Sequence, residues 1–540
     1  MSGNLTEQIE KLTTIGISLS SERNLAKLME NILVGAKDIT NADGGTLYRV
    51  KNDQLHFEIV RTDSLGFAMG GTNTQEIKLD AIPIYTEDGK ANSKNISAYA
   101  AVTGETVNIP DAYEADGFDF QGTKRYDQAN KYRSKSFLTV PLQNHENKII
   151  GVLQLINAIH NESGEVIPFS LHQQKLAESL ASQAAVALTN FQLLDDVKNL
   201  LEKFIEVIAS AIDEKSPYTG GHCRRVPAIA NLLATAINDV DYGLMKEVNF
   251  NDQDLYELNI AALLHDCGKI TTPVHIVDKG TKLETIYDRF EEVKQRLLCI
   301  KKDKKIELLE TLLEEKNPLN IEQAQADYRN SVKRIEEDIA FLEKANKGSE
   351  FMKDEDKQRI REIAEYHWID MDGQKRKLLD DDEIYNLCID RGTLTAEERA
   401  VINNHIVMTQ KMLKALPFPN HLRNVPEIAG NHHERMDGKG YPNGVTGEEM
   451  SVQARLMCIA DVFEALTAAD RPYKKAMPLS VALDILGKMK EDQHIDPDLF
   501  DLFIREGVFL KYAEDYLDPE QIDVDMNLNK LDTTTKKAAS

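Results

Sequence analysis

Histidines and aspartates set among apolar residues are the parts of this sequence most able to do chemistry. Of the chain's 13 histidines, five fall after residue 220 in settings that place them near carboxylates or on apolar helix faces. His265-Asp266 follows Leu258-Asn259-Ile260-Ala261-Ala262-Leu263-Leu264, with His265 on the stripe of Leu258, Ala261 and Ala262. His405 belongs to a segment whose apolar positions are Val401, Ile402, Met408 and Met412, behind the capping pattern Thr395-Ala396-Glu397-Glu398. His432-His433 closes a short helical stretch, and Asp461 follows the apolar run Leu456-Met457-Cys458-Ile459-Ala460. An ionised carboxylate buried without a partner is very costly, and a divalent cation supplies the missing compensation. One such histidine alone is more often a satisfied core residue; jointly they point to a metal site. Imidazole with carboxylate suits Fe, Mn, Zn or Ni. An aspartate able to bridge two ions implies a binuclear centre with metals about 3.5–4 Å apart, as in metal-assisted phosphoester hydrolysis.

The elements that must position these residues are legible from periodicity. Near the N-terminus, Leu5, Ile9, Leu12 and Ile15, then Leu25, Leu28, Met29, Ile32 and Leu33, predict two amphipathic helices. Gly45 to Val50 and Leu55 to Val60 flank a polar turn at 51–54, and Phe137 to Leu142 and Ile149 to Asn157 flank another at 144–147. Both pairs predict antiparallel hairpins. Helices outside hairpins imply an α+β domain, an antiparallel sheet covered by helices on one face, over 1–172. From Gln173 to about 215 the chain reads as one connecting helix. Leu180, Ala187, Leu194, Leu201 and Ile208 hold one heptad position and Ala184, Phe191, Ile205 and Ile212 the other, interrupted by Lys198. Such a seam predicts a parallel homodimer, the alternative being a helix packed against its own domains. The candidate site falls in a C-terminal all-α domain over 216–515, interrupted at about 281–378 by a Lys-, Glu- and Asp-rich helical hairpin. A tail over 516–540, with its last dozen residues disordered, completes the expected multidomain chain.

Composition limits the partners. With 540 residues, several domains are expected. Net charge is 64 − 89 = −25, which opposes non-specific attraction to nucleic acid polymers, so none is expected. No apolar run approaches the roughly 20 residues that span a bilayer, and Met1 to Gln8 shows no secretory pattern. The expectation is a cytoplasmic protein with no membrane partner. Five scattered cysteines fit reduced core thiols rather than a disulfide framework.

Within the first domain, Tyr132-Arg133-Ser134-Lys135-Ser136-Phe137-Leu138-Thr139-Val140-Pro141-Leu142, followed by Gly151-Val152-Leu153-Gln154-Leu155-Ile156-Asn157, resembles a GAF domain over about 24–190. The signature of its cyclic-nucleotide-binding members is met here by Asn157-Ala158, Phe169 and Gln173-Gln174, so two of its three elements are missing. A small-molecule ligand of unknown identity is the expectation there.

In the second half, His265-Asp266-Cys267-Gly268-Lys269 resembles the HDxGK core of the HD superfamily. His432-His433-Glu434-Arg435-Met436-Asp437-Gly438-Lys439-Gly440-Tyr441-Pro442 resembles the HHExxDGxGYP signature of its HD-GYP branch. Tyr218-Thr219-Gly220-Gly221-His222 and Ala460-Asp461-Val462-Phe463-Glu464-Ala465-Leu466-Thr467 add to the likeness. The resemblance implies metal ligation by His222, His265, Asp266, His405, His432, His433 and Asp461, with Asp266 bridging. Some members hold a third ion through a Glu where this chain has Tyr218, so two divalent metals are expected, Fe or Mn first and Zn or Ni otherwise, with His275 a bystander. It also implies catalytic roles for Asp266 and Lys269, and substrate contacts from Lys269, Asp437, Gly440, Tyr441, Arg471 and Lys474. The activity implied is bacterial second-messenger signalling: hydrolysis of cyclic di-GMP to pGpG and onward to GMP, regulated by the GAF domain. Cyclic GMP-AMP is an alternative substrate, and a weakly active cyclic dinucleotide receptor signalling by protein contact an alternative function. A general HD nucleotidase would leave Asp437 to Pro442 without purpose.

Overall fold

The computed structural model describes residues 2–73, 75, 77–215, 221–314, 316–348, 351–469 and 476–524, with side chains from 10 onward. Tyr218, Arg471, Lys474 and the tail beyond 524 lie outside them. The chain forms two compact units, Met1–Leu201 and Glu202–Ser540.

In the first unit, helices α1 (Ser2–Ser21) and α2 (Leu25–Thr40) precede strands β1 (Ala42–Lys51), β2 (Gln54–Thr62), β3 (Phe67–Gly70) and β4 (Ile82–Pro83). Helix α3 (Ile96–Thr103), β5 (Val107–Ile109), α4 (Gln121–Asn130), β6 (Phe137–Gln143), β7 (Ile149–Ile159) and β8 (Val166–Ile167) follow. The strands make one antiparallel sheet in the order β3-β2-β1-β7-β6-β5, with β4 on β2 and β8 on β7. The β1–β2 turn carries Asn52 and Asp53 at φ 49° and 56°, the left-handed pair that a two-residue hairpin demands. Leu28, Ile32 and Leu33 of α2 pack with Leu47, Leu153 and Leu155 of the sheet and with Leu180 and Ala184 from the helix that follows it. The opposite face is covered as well, because Ala98 and Ala100 of α3 pack on Tyr48, Leu55 and Val152. The one-face covering expected from the hairpin pattern omits α3, whose eight residues are too few to show a period.

Helix α5 (Leu171–Asp213) is continuous over 43 residues. The expected heptad seam is partly covered. Leu180 and Ala184 belong to the first unit's core, and Ile205 and Ile212 are buried further along. From Val186 onward the exposed apolar residues are Val186, Leu193, Leu194, Val197, Leu200, Phe204 and Val207, with Leu194 of the expected seam 73% exposed. All but Leu194 lie one residue before the expected seam, and Val197 takes the place that Lys198 had interrupted.

The second unit opens with α6 (His222–Asp239), α7 (Asp252–Leu264), a 3₁₀ turn at Cys267–Thr271 and α8 (Val274–Val277). The charged insertion then forms α9 (Phe290–Glu314), α10 (Pro318–Asn346), α11 (Asp354–Ala364), the small hairpin β9 (His367–Ile369) and β10 (Lys375–Lys377), and α12 (Asp381–Leu387). It has a core of its own, in which Leu283, Val293, Leu297, Leu342, Ile360 and Leu387 are fully or almost fully buried. Helices α13 (Ala396–Lys414), α14 (Val425–Gly430), α15 (Val452–Thr467), α16 (Leu479–Glu491), α17 (Pro497–Arg505) and α18 (Val508–Tyr516) complete the unit. The β9–β10 hairpin is the one departure from an all-α second unit among the described residues.

Candidate metal centre

Five helix ends and faces of the second unit meet at one buried point. Asn251 and Asp254 form the capping box that starts α7, so the helix runs out at Leu264 with His265 as its C-cap and Asp266 opening the 3₁₀ turn. That turn packs against α13, where Gly268 donates its amide to Thr409 Oγ1 at 2.9 Å. A Cβ on Gly268 would collide with the His405 carbonyl oxygen, so the close approach that sets His265-Asp266 beside His405 requires glycine. Thr395 and Glu398 form the expected capping box of α13, His432 and His433 lie just past α14, and α6 begins at His222.

Asp266 Oδ2 lies 3.2 Å from His222 Nε2 and 3.3 Å from His265 Nε2. Asp266 Oδ1 lies 3.2 Å from His405 Nε2. Asp461 Oδ1 is 3.3 Å from His222 Nε2 and 3.6 Å from His265 Nε2. Two groups of possible ligand atoms result, His222, His265 and Asp266 in one and His405, His432 and His433 in the other, each within 4.8 Å of one another. The two carboxylate oxygens of Asp266 are thus aimed at different groups.

Three of the imidazoles are oriented as metal ligands would be. His265 Nδ1 donates to the Ala262 carbonyl at 2.7 Å, His405 Nδ1 to Ile402 at 2.6 Å and His432 Nδ1 to Ala429 at 2.7 Å. A proton committed to Nδ1 leaves the Nε2 lone pair facing inward, the state in which histidine ligates a metal. Among the described residues, the buried atoms Asp266 Oδ1, His405 Nε2 and His432 Nε2 have no hydrogen-bond partner. Buried polar atoms are rarely left so, and a cation between them would satisfy all three. The residues present therefore fit a metal centre.

Charge balance points the same way. Burial alone would push His222 and His265 down, but the Asp266 and Asp461 carboxylates hold His222 well above its usual range and His265 at about 9. Burial would likewise raise Asp266, and the charges of Lys269 and His265 keep it well below the carboxylate range. His433 is pushed down to about 4, chiefly by burial. One side of the site thus asks for positive charge while the other keeps its imidazoles neutral.

All seven residues expected as ligands converge. Lys269 reaches Asp266 Oδ2 at 2.5 Å, and the Tyr441 ring stacks on His433 with centroids 4.9 Å apart. Gly440 passes so close to the Glu434 backbone that a Cβ would overlap it. Asp437 turns to its own loop, accepting from Arg435 Nε at 3.0 Å and from the Lys439 amide at 3.1 Å. His275 is exposed and belongs to neither ligand group. Two buried glutamates escaped the sequence reading. Glu464 accepts from His222 Nδ1 and from Arg225 Nε; its place three residues after Asp461, on the same helical face, was the available signal. Glu434 Oε1 accepts from the amides of Asn443 at 2.7 Å and Gly444 at 3.2 Å, fixing the loop that presents Tyr441.

The family model of the GAF domain matches residues 24–188, and two HD-domain models match residues 219–340 and 381–499. The chain is 40% identical over 121 residues to 3'3'-cGAMP-specific phosphodiesterase 3 of Vibrio cholerae, a match covering 22% of this chain and 25% of that protein. It is 38% identical over 115 residues to the cyclic di-GMP phosphodiesterase response regulator RpfG of Xanthomonas campestris, covering 21% and 29%. The chain spans about a quarter of the length of these two relatives. Among solved structures, the GAF domain of an Acinetobacter phosphoenolpyruvate-protein phosphotransferase matches 35% of this chain and 98% of its own, at 16% identity and a TM-score of 0.26. No helix among the described residues is long and apolar enough to cross a membrane. The chain thus carries a region matching the GAF-domain model ahead of two regions matching HD-domain models.

Proposed function

We propose that this chain is a metal-dependent phosphodiesterase that opens a cyclic dinucleotide, cyclic di-GMP in the first instance, to pGpG and onward to GMP. The observation that carries the reading is Asp266, buried with one oxygen toward each of two histidine groups. His222, His265, Asp266, His405, His432, His433 and Asp461 would hold two divalent ions, Fe or Mn before Zn or Ni. Ions held there would acidify a water and neutralise phosphate charge. The chain's own residues supply the rest. The Lys269 ammonium, held at Asp266, adds a cation beside the reacting phosphate. Tyr441, stacked on His433, offers a face to the substrate, with Gly440 and Asp437 setting the loop. Arg471 and Lys474, the further phosphate contacts that the resemblance implies, lie outside the described residues.

Relatives named as cyclic di-GMP and as 3'3'-cGAMP phosphodiesterases support the substrate class. The second of these names makes cyclic GMP-AMP the alternative substrate. A small molecule at the GAF domain would regulate the site, and the exposed stripe from Val186 to Val207 would pair two copies in parallel, since its 3–4 alternation is that of a coiled-coil seam. Five free cysteines fit a reducing, cytoplasmic setting.

The experiment is turnover of cyclic di-GMP and cyclic GMP-AMP by protein loaded anaerobically with Fe(II) or Mn(II), with metal content measured on the same sample. Hydrolysis of one dinucleotide with about two ions per chain is expected. Tight dinucleotide binding at full metal occupancy without turnover would instead make the chain a receptor.

A further inference from the structure

The end of α5 grips both segments that carry the metal centre's first residues. Asp213, its last residue and buried, accepts from the amides of Gly221 at 3.1 Å (Oδ2) and Cys223 at 3.2 Å (Oδ1). These amides flank His222, so one carboxylate fixes the backbone on both sides of it. Helix α6 needs this help: its N-cap is Gly221, at φ 86°, which gives no side-chain cap. The first amides of a helix otherwise lack acceptors, and a carboxylate there also meets the positive end of the helix dipole.

Two residues on, Lys215 Nζ donates to the carbonyl oxygens of Lys269 at 2.8 Å, Ile270 at 2.6 Å and Thr272 at 2.5 Å. Its three N–H groups thus meet three carbonyls at the end of the 3₁₀ turn Cys267–Thr271, the turn that Asp266 opens and that carries Lys269. An ammonium is suited to this place because the carbonyl end of a helical turn is its negative end.

We propose that Asp213 and Lys215 are positioning residues that couple the connecting helix to the metal centre, Asp213 through the backbone of His222 and Lys215 through the turn bearing Asp266 and Lys269. A turn or shift of the end of α5 displaces the two grips by different amounts, since they lie two residues apart on different sides of the helix end, so it alters the placing of His222 against Asp266 without any change in the ligands themselves. This rests on the metal-centre reading of the preceding section. It adds a route by which a signal carried along α5 reaches that centre.

The test uses the full chain with Asp213→Asn, Lys215→Met and Lys215→Arg, and one readout that needs no metal. In metal-free protein, hydrogen exchange should quicken at 221–225 in Asp213→Asn and at 267–272 in Lys215→Met, with the first unit unchanged. In Mn(II)-loaded protein, Asp213→Asn should lose metal to a chelator about tenfold more readily. Lys215→Met should keep its metal and lose kcat rather than KM, with Lys215→Arg restoring most of it. Wild-type exchange and metal retention in both substitutions would overturn the proposal, as would exchange quickened evenly across the second unit. Wild-type protein that holds no metal would sink the metal-centre reading, while the local exchange pattern would still decide the grip.

Discussion

His405 Nε2 and Asp266 Oδ1 face each other at 3.2 Å, both buried, and neither has a hydrogen-bond partner among the described residues. Two acceptors held this close repel unless a cation or a proton lies between them. The His405 Nδ1 proton is already committed to the Ile402 carbonyl, which favours the cation. Asp266→Ala should therefore abolish both metal retention and dinucleotide turnover. Asp266→Asn, which keeps the shape but not the charge, should retain at most one ion. Metal analysis and rate on the same preparation check this, and a variant with two ions and full rate would remove Asp266 from the bridging position.

Much of this site could be read from residue pattern, and the misses have physical causes. His265 and His405 announced themselves as polar residues on apolar helix faces, and each proved buried. His222 heads the buried stripe of Val226, Ile229 and Leu233 on α6, but as the first residue of the helix it has that pattern on one side only, and its likeness to a family motif is what singles it out. Part of the expected seam on α5 is covered for a related reason. A heptad stripe shows that something covers it, not what does. Leu180 and Ile205 are covered by the chain's own units, leaving Val197 and Leu200 on the free face. The hairpin at His367–Lys377 is too short and too polar to alternate visibly.

Glu464 should matter to the metal centre without touching an ion. Burial would raise its carboxyl, yet His222 and Arg225 hold it below the usual range, so it is charged where it meets His222 Nδ1. A carboxylate on the far nitrogen of a ligating imidazole fixes the ring and makes it more basic. Glu464→Gln should weaken metal retention about 10–100-fold while far-ultraviolet circular dichroism stays unchanged. Competition with a chromogenic chelator gives the number, and unaltered retention would reduce Glu464 to a packing role.

Tyr441 and Gly440 should separate substrate binding from metal binding. The Tyr441 ring stacks on His433 with an interplanar angle of 25°, a contact kept by Tyr441→Phe and lost in Tyr441→Ala. Such ring contacts are worth about 0.5–1.5 kcal/mol, so Tyr441→Ala should raise KM several-fold and Tyr441→Phe should stay near wild type. In Gly440→Ala the new methyl meets the Glu434 backbone, which forces the loop outward and should raise KM further. All three are expected to hold their metals. Loss of metal from Gly440→Ala would show instead that the loop supports His433 directly.

The charged insertion offers a prediction independent of the metal centre. Lys282 is fully buried and donates to the carbonyls of Leu387 at 2.9 Å and Ile389 at 2.8 Å, closing the base of the insertion. Burial lowers its amine from 10.5 to about 8. Below about 8 the folded and unfolded chains both carry the proton, and the full cost of a buried charge is present. Between about 8 and 10.5 the unfolded chain keeps the proton while the folded chain sheds it, so stability rises with pH across that window. The neutral amine keeps two N–H groups for its two carbonyls, so the contact survives deprotonation. The gain should be on the order of 1–3 kcal/mol, and it should vanish in Lys282→Met. Trp368, the chain's single tryptophan, packs on the insertion's core, so its fluorescence can follow denaturant melts at pH 7, 8 and 10. Equal pH slopes for wild type and Lys282→Met would mean that Lys282 keeps its charge throughout, held by those two carbonyls more firmly than burial opposes it.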